Sequence, residues 1–226
     1  MTGFVCLQGG GEFSAGCLPM DADLVARAPG RVVVSALAGT PGRDYATATA
    51  NGVRHFLEAG AADVVAAPDV RHDEAGALAA LRSAALVVLP GGSPARLLET
   101  LCTTGAGAAV AGVLAAGGSV MGASAGAMVL CGWTLLPGPA GLPLARGLAL
   151  VPELLVVPHW TGEKGRDAWT QAARQSPAVA IGLPEESGVV LEAGVLTAVG
   201  LRPSHLLGEG RDLVPGQTFT LRSRTS

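Results

Sequence analysis

The chain has 226 residues, 49% of them hydrophobic, 15% charged and 4% aromatic, with 33 glycines and 15 prolines. That length buries a full core without disulfides, and the apolar runs are short, broken by glycine or proline, and fall well below the ~20 residues of a membrane-spanning helix. The formal net charge is -3 with the 15 Lys and Arg dispersed, which excludes the basic face expected of a nucleic-acid or anionic-membrane binder and leaves small molecules or peptides as expected partners.

The opening Met1-Thr2-Gly3-Phe4 lacks the basic segment and long apolar stretch of a secretory leader. Cys6, Cys17, Cys102 and Cys131 show neither CxxC nor Cys/His metal spacing. They are expected to be reduced and mostly buried in a cytoplasmic protein with no metal and no cofactor.

In chain order, short β-type runs alternate with longer Ala/Leu-rich stretches. Phe4-Val5-Cys6-Leu7 is the first strand and ends at Gly9-Gly10-Gly11. Residues 31–37 form the second, 64–67 the third, and 86–89 the fourth, which closes at Pro90-Gly91-Gly92. Residues 119–122 and 154–157 form two more, and 189–191 with 195–199 read as a closing hairpin. Helices are predicted over 45–59, 73–82, 94–101, 107–116 and 125–131. Val-rich strands alternating with helices imply a three-layer α/β sandwich: a mostly parallel sheet flanked by helices, with antiparallel strands at one edge. We expect one domain over residues 1–221 and a polar tail over 222–226.

Glycines after a strand invite a phosphate-binding reading. From Gly11 to Gly16 the spacing begins a P-loop, but Cys17-Leu18 stands where Lys and Ser or Thr are required. In a G-x-G-x-x-G match, Ser14 replaces the third glycine. Residues 9–11 therefore read as an ordinary strand exit.

Gly122-Ala123-Ser124-Ala125-Gly126 is G-x-S-x-G between a strand and a helix. Small neighbours there allow the strained turn that lifts a serine hydroxyl above the end of a sheet. Such a serine needs an adjacent base, and the base needs an orienting group. Of the four histidines, His55 reads as a partly exposed helix residue, His72 lies in a polar loop, and His205 has no recognisable context. His159 directly follows a buried-looking strand, Leu154-Leu155-Val156-Val157-Pro158, whose end opens onto the ligand crevice of an open sheet.

Between Ser124 and His159 the only acidic residue is Glu153, at the far end of the strand that delivers His159. Glu185 and Glu186 follow the run 179–184, and Glu185 is the first choice for the third group, with Glu186 the alternative. The order Ser, His, Glu departs from α/β-hydrolases, where the acid precedes the histidine. Oxyanion donors are expected at the Ala125 amide, which opens a helix, and at Gly92, whose other role would be a plain strand-to-helix turn.

Gly122-Ala123-Ser124-Ala125-Gly126-Ala127, Pro90-Gly91-Gly92-Ser93 with Leu97-Leu98, Pro158-His159 and Ile181-Gly182-Leu183-Pro184-Glu185 together resemble the serine peptidases typified by dipeptidase E and cyanophycinase. The similarity extends from Leu7 to Glu185. It implies a fold like the class I glutamine amidotransferases, with Ser in place of their elbow Cys. It also implies a triad of Ser124, His159 and Glu185 with Gly92 and Ala125 as oxyanion donors. Arg166 matches a family arginine that faces substrate, or is an exposed residue at a helix start. Trp160 walls the pocket or packs under the loop. The dipeptidase has Asn at Ser93, a substrate-site position; the loop from His159 to Arg166 is shorter here, and residues 135–143 carry no acid where relatives often do.

The resemblance thus implies a cofactor-free peptidase acting on short peptides as a monomer or homodimer. The alternatives are a cyanophycinase-like hydrolase of β-linked Asp-Arg peptides and a non-catalytic small-ligand binder of the same fold.

Overall fold

Val32 and Val34 pack on one face of their strand and Val33 on the other, and neighbouring strands repeat this alternation. The sheet they form is therefore apolar on both faces, as a helix-covered sheet must be. A computed structural model describes residues 3–139 and 141–221, so the expected tail, 222–226, lies outside the described residues.

The first half runs β1 (Val5–Gln8), α1 (Leu18–Arg27), β2 (Arg31–Val34), α2 (Arg43–Glu58), β3 (Asp63–Ala66), α3 (Glu74–Arg82), β4 (Leu86–Leu89), α4 (Pro94–Thr103), α5 (Ala106–Ala115), β5 (Ser119–Ala123) and α6 (Ala125–Leu130). The second half is richer in strands: β6 (Trp133–Leu135), β7 (Leu144–Arg146), β8 (Leu154–Val157), α7 (Asp167–Ala173), β9 (Val179–Gly182), β10 (Ser187–Glu192), β11 (Val195–Gly200), β12 (Ser204–Leu206), β13 (Arg211–Leu213) and β14 (Thr218–Thr220).

The main sheet has the order β14-β11-β10-β1-β5-β4-β2-β3. Strands β1, β5, β4, β2 and β3 are parallel, while β10, β11 and β14 add antiparallel pairs at one edge. The mixed α/β class and the closing hairpin are as expected. On one face, Cys6, Val32, Val34, Leu86, Val88 and Met121 pack with Leu24 of α1 and Phe56 of α2. On the other face, Val33, Val87, Leu89 and Val120 join the larger core with α3, α4, α5 and α6.

Several elements depart from the sequence reading: α1 and the short strands β6, β7, β12, β13 and β14 lie where none is expected, and β8 belongs to a different sheet. Helix α1 was not anticipated, because its buried face is short and holds Met20, Asp21 and Leu24, an aspartate among apolar residues. Strand β8 does not join the main sheet. It pairs in parallel with β9 in a second sheet of order β13-β12-β9-β8. A fully apolar run reports that a strand is buried, not which sheet receives it.

Candidate active site

Parallel strands β1, β5 and β4 end side by side and present residues 9–12, Ser124 and the Pro90-Gly91-Gly92 turn at one edge. Antiparallel β10 starts at this same edge, because Gln8 pairs with Gly188, so the segment carrying Glu185 and Glu186 arrives there too. The carboxyl ends of parallel strands are where open α/β sheets bind ligands.

Ser124 sits between β5 and α6 with φ 49 and ψ -108, a left-handed conformation that is strained for a serine. Its N–H donates to the Gln8 carbonyl at 2.9 Å, and its own carbonyl accepts the Met128 N–H at 3.0 Å. A Cβ on Gly122 would lie 2.5 Å from the Gly126 carbonyl carbon, so only glycine lets helix and strand approach closely enough to form this turn.

His159 also has a positive φ, 51, at the exit of β8. Its Nε2 is 2.8 Å from Ser124 Oγ, and its Nδ1 is 3.0 Å from Glu185 Oε1. The three side chains thus form an unbroken hydrogen-bonded line from hydroxyl to carboxylate. The His159 and Glu185 side chains are 38% and 56% exposed, so the line opens to solvent. Glu186 turns the other way: its Oε1 accepts from the Ser14 hydroxyl at 2.8 Å.

The turn after β4 abuts the serine, since a Cβ on Gly91 would lie 3.1 Å from Ser124 Cβ. Gly92 has φ 138 and packs against Ala38. Ser93 accepts the Arg96 N–H at 3.3 Å and so caps α4. Glu12, which sequence reasoning did not single out, accepts the Gly91 N–H on Oε1 at 2.7 Å. The only sequence signal was an acidic residue directly after a triple glycine.

Arg166 Nε donates to the His159 carbonyl at 3.1 Å, and its guanidinium lies 5.3 Å from the Trp169 ring centre. Burial lowers the Arg166 pKa, and the nearby Glu185 carboxylate offsets part of that shift. Trp160 is 7% exposed, and its ring stacks on His205 at 5.3 Å. The indole therefore supports the histidine loop from beneath and does not face open space. His205 has a clear context after all, bonded through Nδ1 to Asp212 at 2.6 Å. His55 is buried, not partly exposed, with Nε2 2.7 Å from Asp21 Oδ2.

The triple-glycine segment is more than a strand exit. The Gly9 carbonyl accepts the His159 N–H at 2.8 Å, and the Gly10 carbonyl accepts the Glu186 N–H at 2.9 Å. A cavity of about 680 Å³ lies at the opposite end of the sheet, near Gly30, Arg82 and Gly118, and holds no comparable group of reacting side chains. Among the described residues, no single helix is long and apolar enough to cross a membrane.

Known proteins match this chain in sequence family and in fold. The model of peptidase family S51 matches residues 40–199, a span that includes Gly92, Ser124, His159, Arg166 and Glu185 but not the glycine loop or Glu12. A peptidase from an acI-B1 actinobacterium superposes with a TM-score of 0.83 at 22% identity, covering 98% of each chain. A putative peptidase E from Listeria monocytogenes EGD-e superposes with a TM-score of 0.66 at 16% identity, covering 89% of this chain and 100% of that one. Comparison with curated proteins gives no significant match. By its family match the chain belongs to peptidase family S51, the family of dipeptidase E and cyanophycinase, and is a serine-type peptidase.

Proposed function

We propose that the protein is a cytoplasmic exopeptidase or dipeptidase that hydrolyses short peptides through an acyl-enzyme on Ser124, without a cofactor. The observation that carries this reading is the line of hydrogen bonds from Ser124 Oγ through the His159 ring to Glu185. A serine hydroxyl is a poor nucleophile at neutral pH, and a neutral imidazole at 2.8 Å is placed to take its proton as the oxygen attacks.

In this mechanism Ser124 Oγ bonds to the peptide carbonyl carbon while its proton moves to His159 Nε2. The developing oxyanion lies against the Gly92 and Ala125 amides; Ala125 is the first residue of α6, where an N–H has no partner within the helix. His159 then protonates the leaving amine, and the C–N bond breaks. Water repeats the sequence on the ester, with His159 again the base. Glu185 accepts from Nδ1–H throughout and stabilises the imidazolium without taking its proton. Arg166, anchored on the His159 carbonyl, is the side chain proposed to face a substrate carboxylate. Ser93 follows Gly92 in the same turn, which its hydroxyl ties to the start of α4, and is the side chain from that turn proposed to contact substrate, while Trp160 contributes by holding the loop.

Digestion of a peptide library, read by mass spectrometry, with α- and β-linked Asp dipeptides in parallel, reports end preference and linkage together. Ser124→Ala is expected to abolish hydrolysis of every substrate and all labelling by a fluorophosphonate while keeping the wild-type melting temperature. Undiminished hydrolysis by that variant would overturn the mechanism.

A further inference from the structure

The turn that carries Gly92 is held from two sides, and one hold comes from a side chain outside the proton relay. On the first side, the Ala38 carbonyl accepts the Ser93 N–H at 3.0 Å and Arg96 Nη1–H at 2.9 Å. On the second, Glu12 Oε1 accepts the Gly91 N–H at 2.7 Å. A Cβ on Gly91 would lie 2.5 Å from Glu12 Oε1 and 3.1 Å from Ser124 Cβ, so carboxylate and nucleophile flank the same glycine.

We propose that Glu12 is a positioning residue of the oxyanion turn: its hydrogen bond fixes Gly91 so that the next amide, Gly92 N–H, faces the carbonyl oxygen attacked by Ser124. The inference rests on the mechanism proposed above. Two consecutive glycines have no side chains to pack and more backbone freedom than any other pair, so their amides hold a direction only if something else holds them. A charge-assisted bond to a carboxylate is a strong way to do so. The bond also occupies the Gly91 N–H, which leaves Gly92 as the donor from this turn. A carboxylate aimed directly at the oxyanion would oppose it. Acting through the backbone, Glu12 contributes order.

Two substitutions separate reach from charge. Glu12→Gln keeps an acceptor oxygen at the same distance and loses the charge, whereas Glu12→Asp keeps the charge and falls one methylene short. Each is reacted with a fluorophosphonate alongside the wild type, measuring reversible affinity (KI), maximal labelling rate (kinact) and its pH profile. Glu12→Gln is expected within about threefold of the wild-type rate, and Glu12→Asp about tenfold or more below it, with KI and the pH midpoint unchanged in both. The reverse ranking, equal rates in all three proteins, or a change confined to KI overturns the proposal. Wild-type protein that fails to label at Ser124 overturns the acyl-enzyme mechanism itself, an outcome distinct from failure of the Glu12 role alone.

Discussion

The backbone N–H of His159 donates to the carbonyl of Gly9 at 2.8 Å, and the His159 ring occupies the space beside Gly10 where any other residue would carry a Cβ. These residues come from different sheets, β1 of the main sheet and β8 of the second. The contact therefore sets how the His159 ring is presented to Ser124, which stands on the main sheet. The next carbonyl, that of Gly10, accepts the Glu186 N–H, so the same loop also fixes the segment that carries Glu185.

Gly10→Ala tests this seat. An added Cβ would fall 2.4 Å from His159 Cε1 and 2.6 Å from Nδ1, on a backbone with φ 132 that favours glycine. The ring must turn away from Ser124, Glu185 or both. Peptide hydrolysis is expected to fall about 100-fold or more, since misplacement of a reacting group by about 1 Å has that effect. The melting temperature should drop by only a few degrees, because the site is at an edge and not in the core. Wild-type turnover in this variant would show that the loop does not seat the base.

Neighbouring glutamates give a second test. Glu185 Oε1 meets His159 Nδ1 at 3.0 Å, while Glu186 Oε1 meets the Ser14 hydroxyl at 2.8 Å. Glu185→Gln replaces an acceptor with an amide that can offer its NH2 to Nδ1 and so favour the wrong tautomer, and kcat is expected to fall by roughly 100- to 10,000-fold. Glu186→Gln keeps an acceptor for Ser14 and should stay within about threefold of wild type. Steady-state kinetics on one peptide substrate compare the two, and equal losses would mean that Glu186 shares the role.

Much of this was legible in the sequence because the relevant residues are scarce. One acid between Ser124 and His159, and four histidines in all, leave few ways to assemble a relay. The G-x-S-x-G elbow also carries its own steric logic, since Gly122 is required by its contact with the Gly126 backbone within that segment, while Gly126 is required by the Leu89 carbonyl of the neighbouring strand β4. What escaped notice depends on contacts between distant segments. Residues 9–11 read as a plain turn because nothing local shows that His159, about 150 positions later, docks there. Glu12 was missed for the same reason: its partner, Gly91, is 79 residues away. Trp160 and His205 each looked ambiguous alone, and only their stacking shows that both support the histidine loop.

The buried pair Asp21 and His55 makes a prediction about stability and pH. Their side chains are 0% and 4% exposed, and Asp21 Oδ1 has no hydrogen-bond partner among the described residues. Burial raises the Asp21 carboxyl above the ordinary aspartate range, and the hydrogen bond and charge of His55 offset part of that rise. The folded protein therefore keeps this proton at pH values where the unfolded chain has released it. Over that window the folded state binds more protons, so the contribution of Asp21 to stability falls as pH rises, and above the folded value the loss is complete. Asp21→Asn keeps an oxygen for His55 and removes the buried ionisable group. It is expected to melt on the order of a few degrees above wild type at neutral pH, with the difference closing as pH falls below about 3, under the ordinary aspartate range, where Asp21 is protonated in both folded and unfolded chains. Thermal melts of both proteins across that range decide the matter: a difference that grows in acid, or none at any pH, would mean that the His55 contact outweighs the desolvation of Asp21.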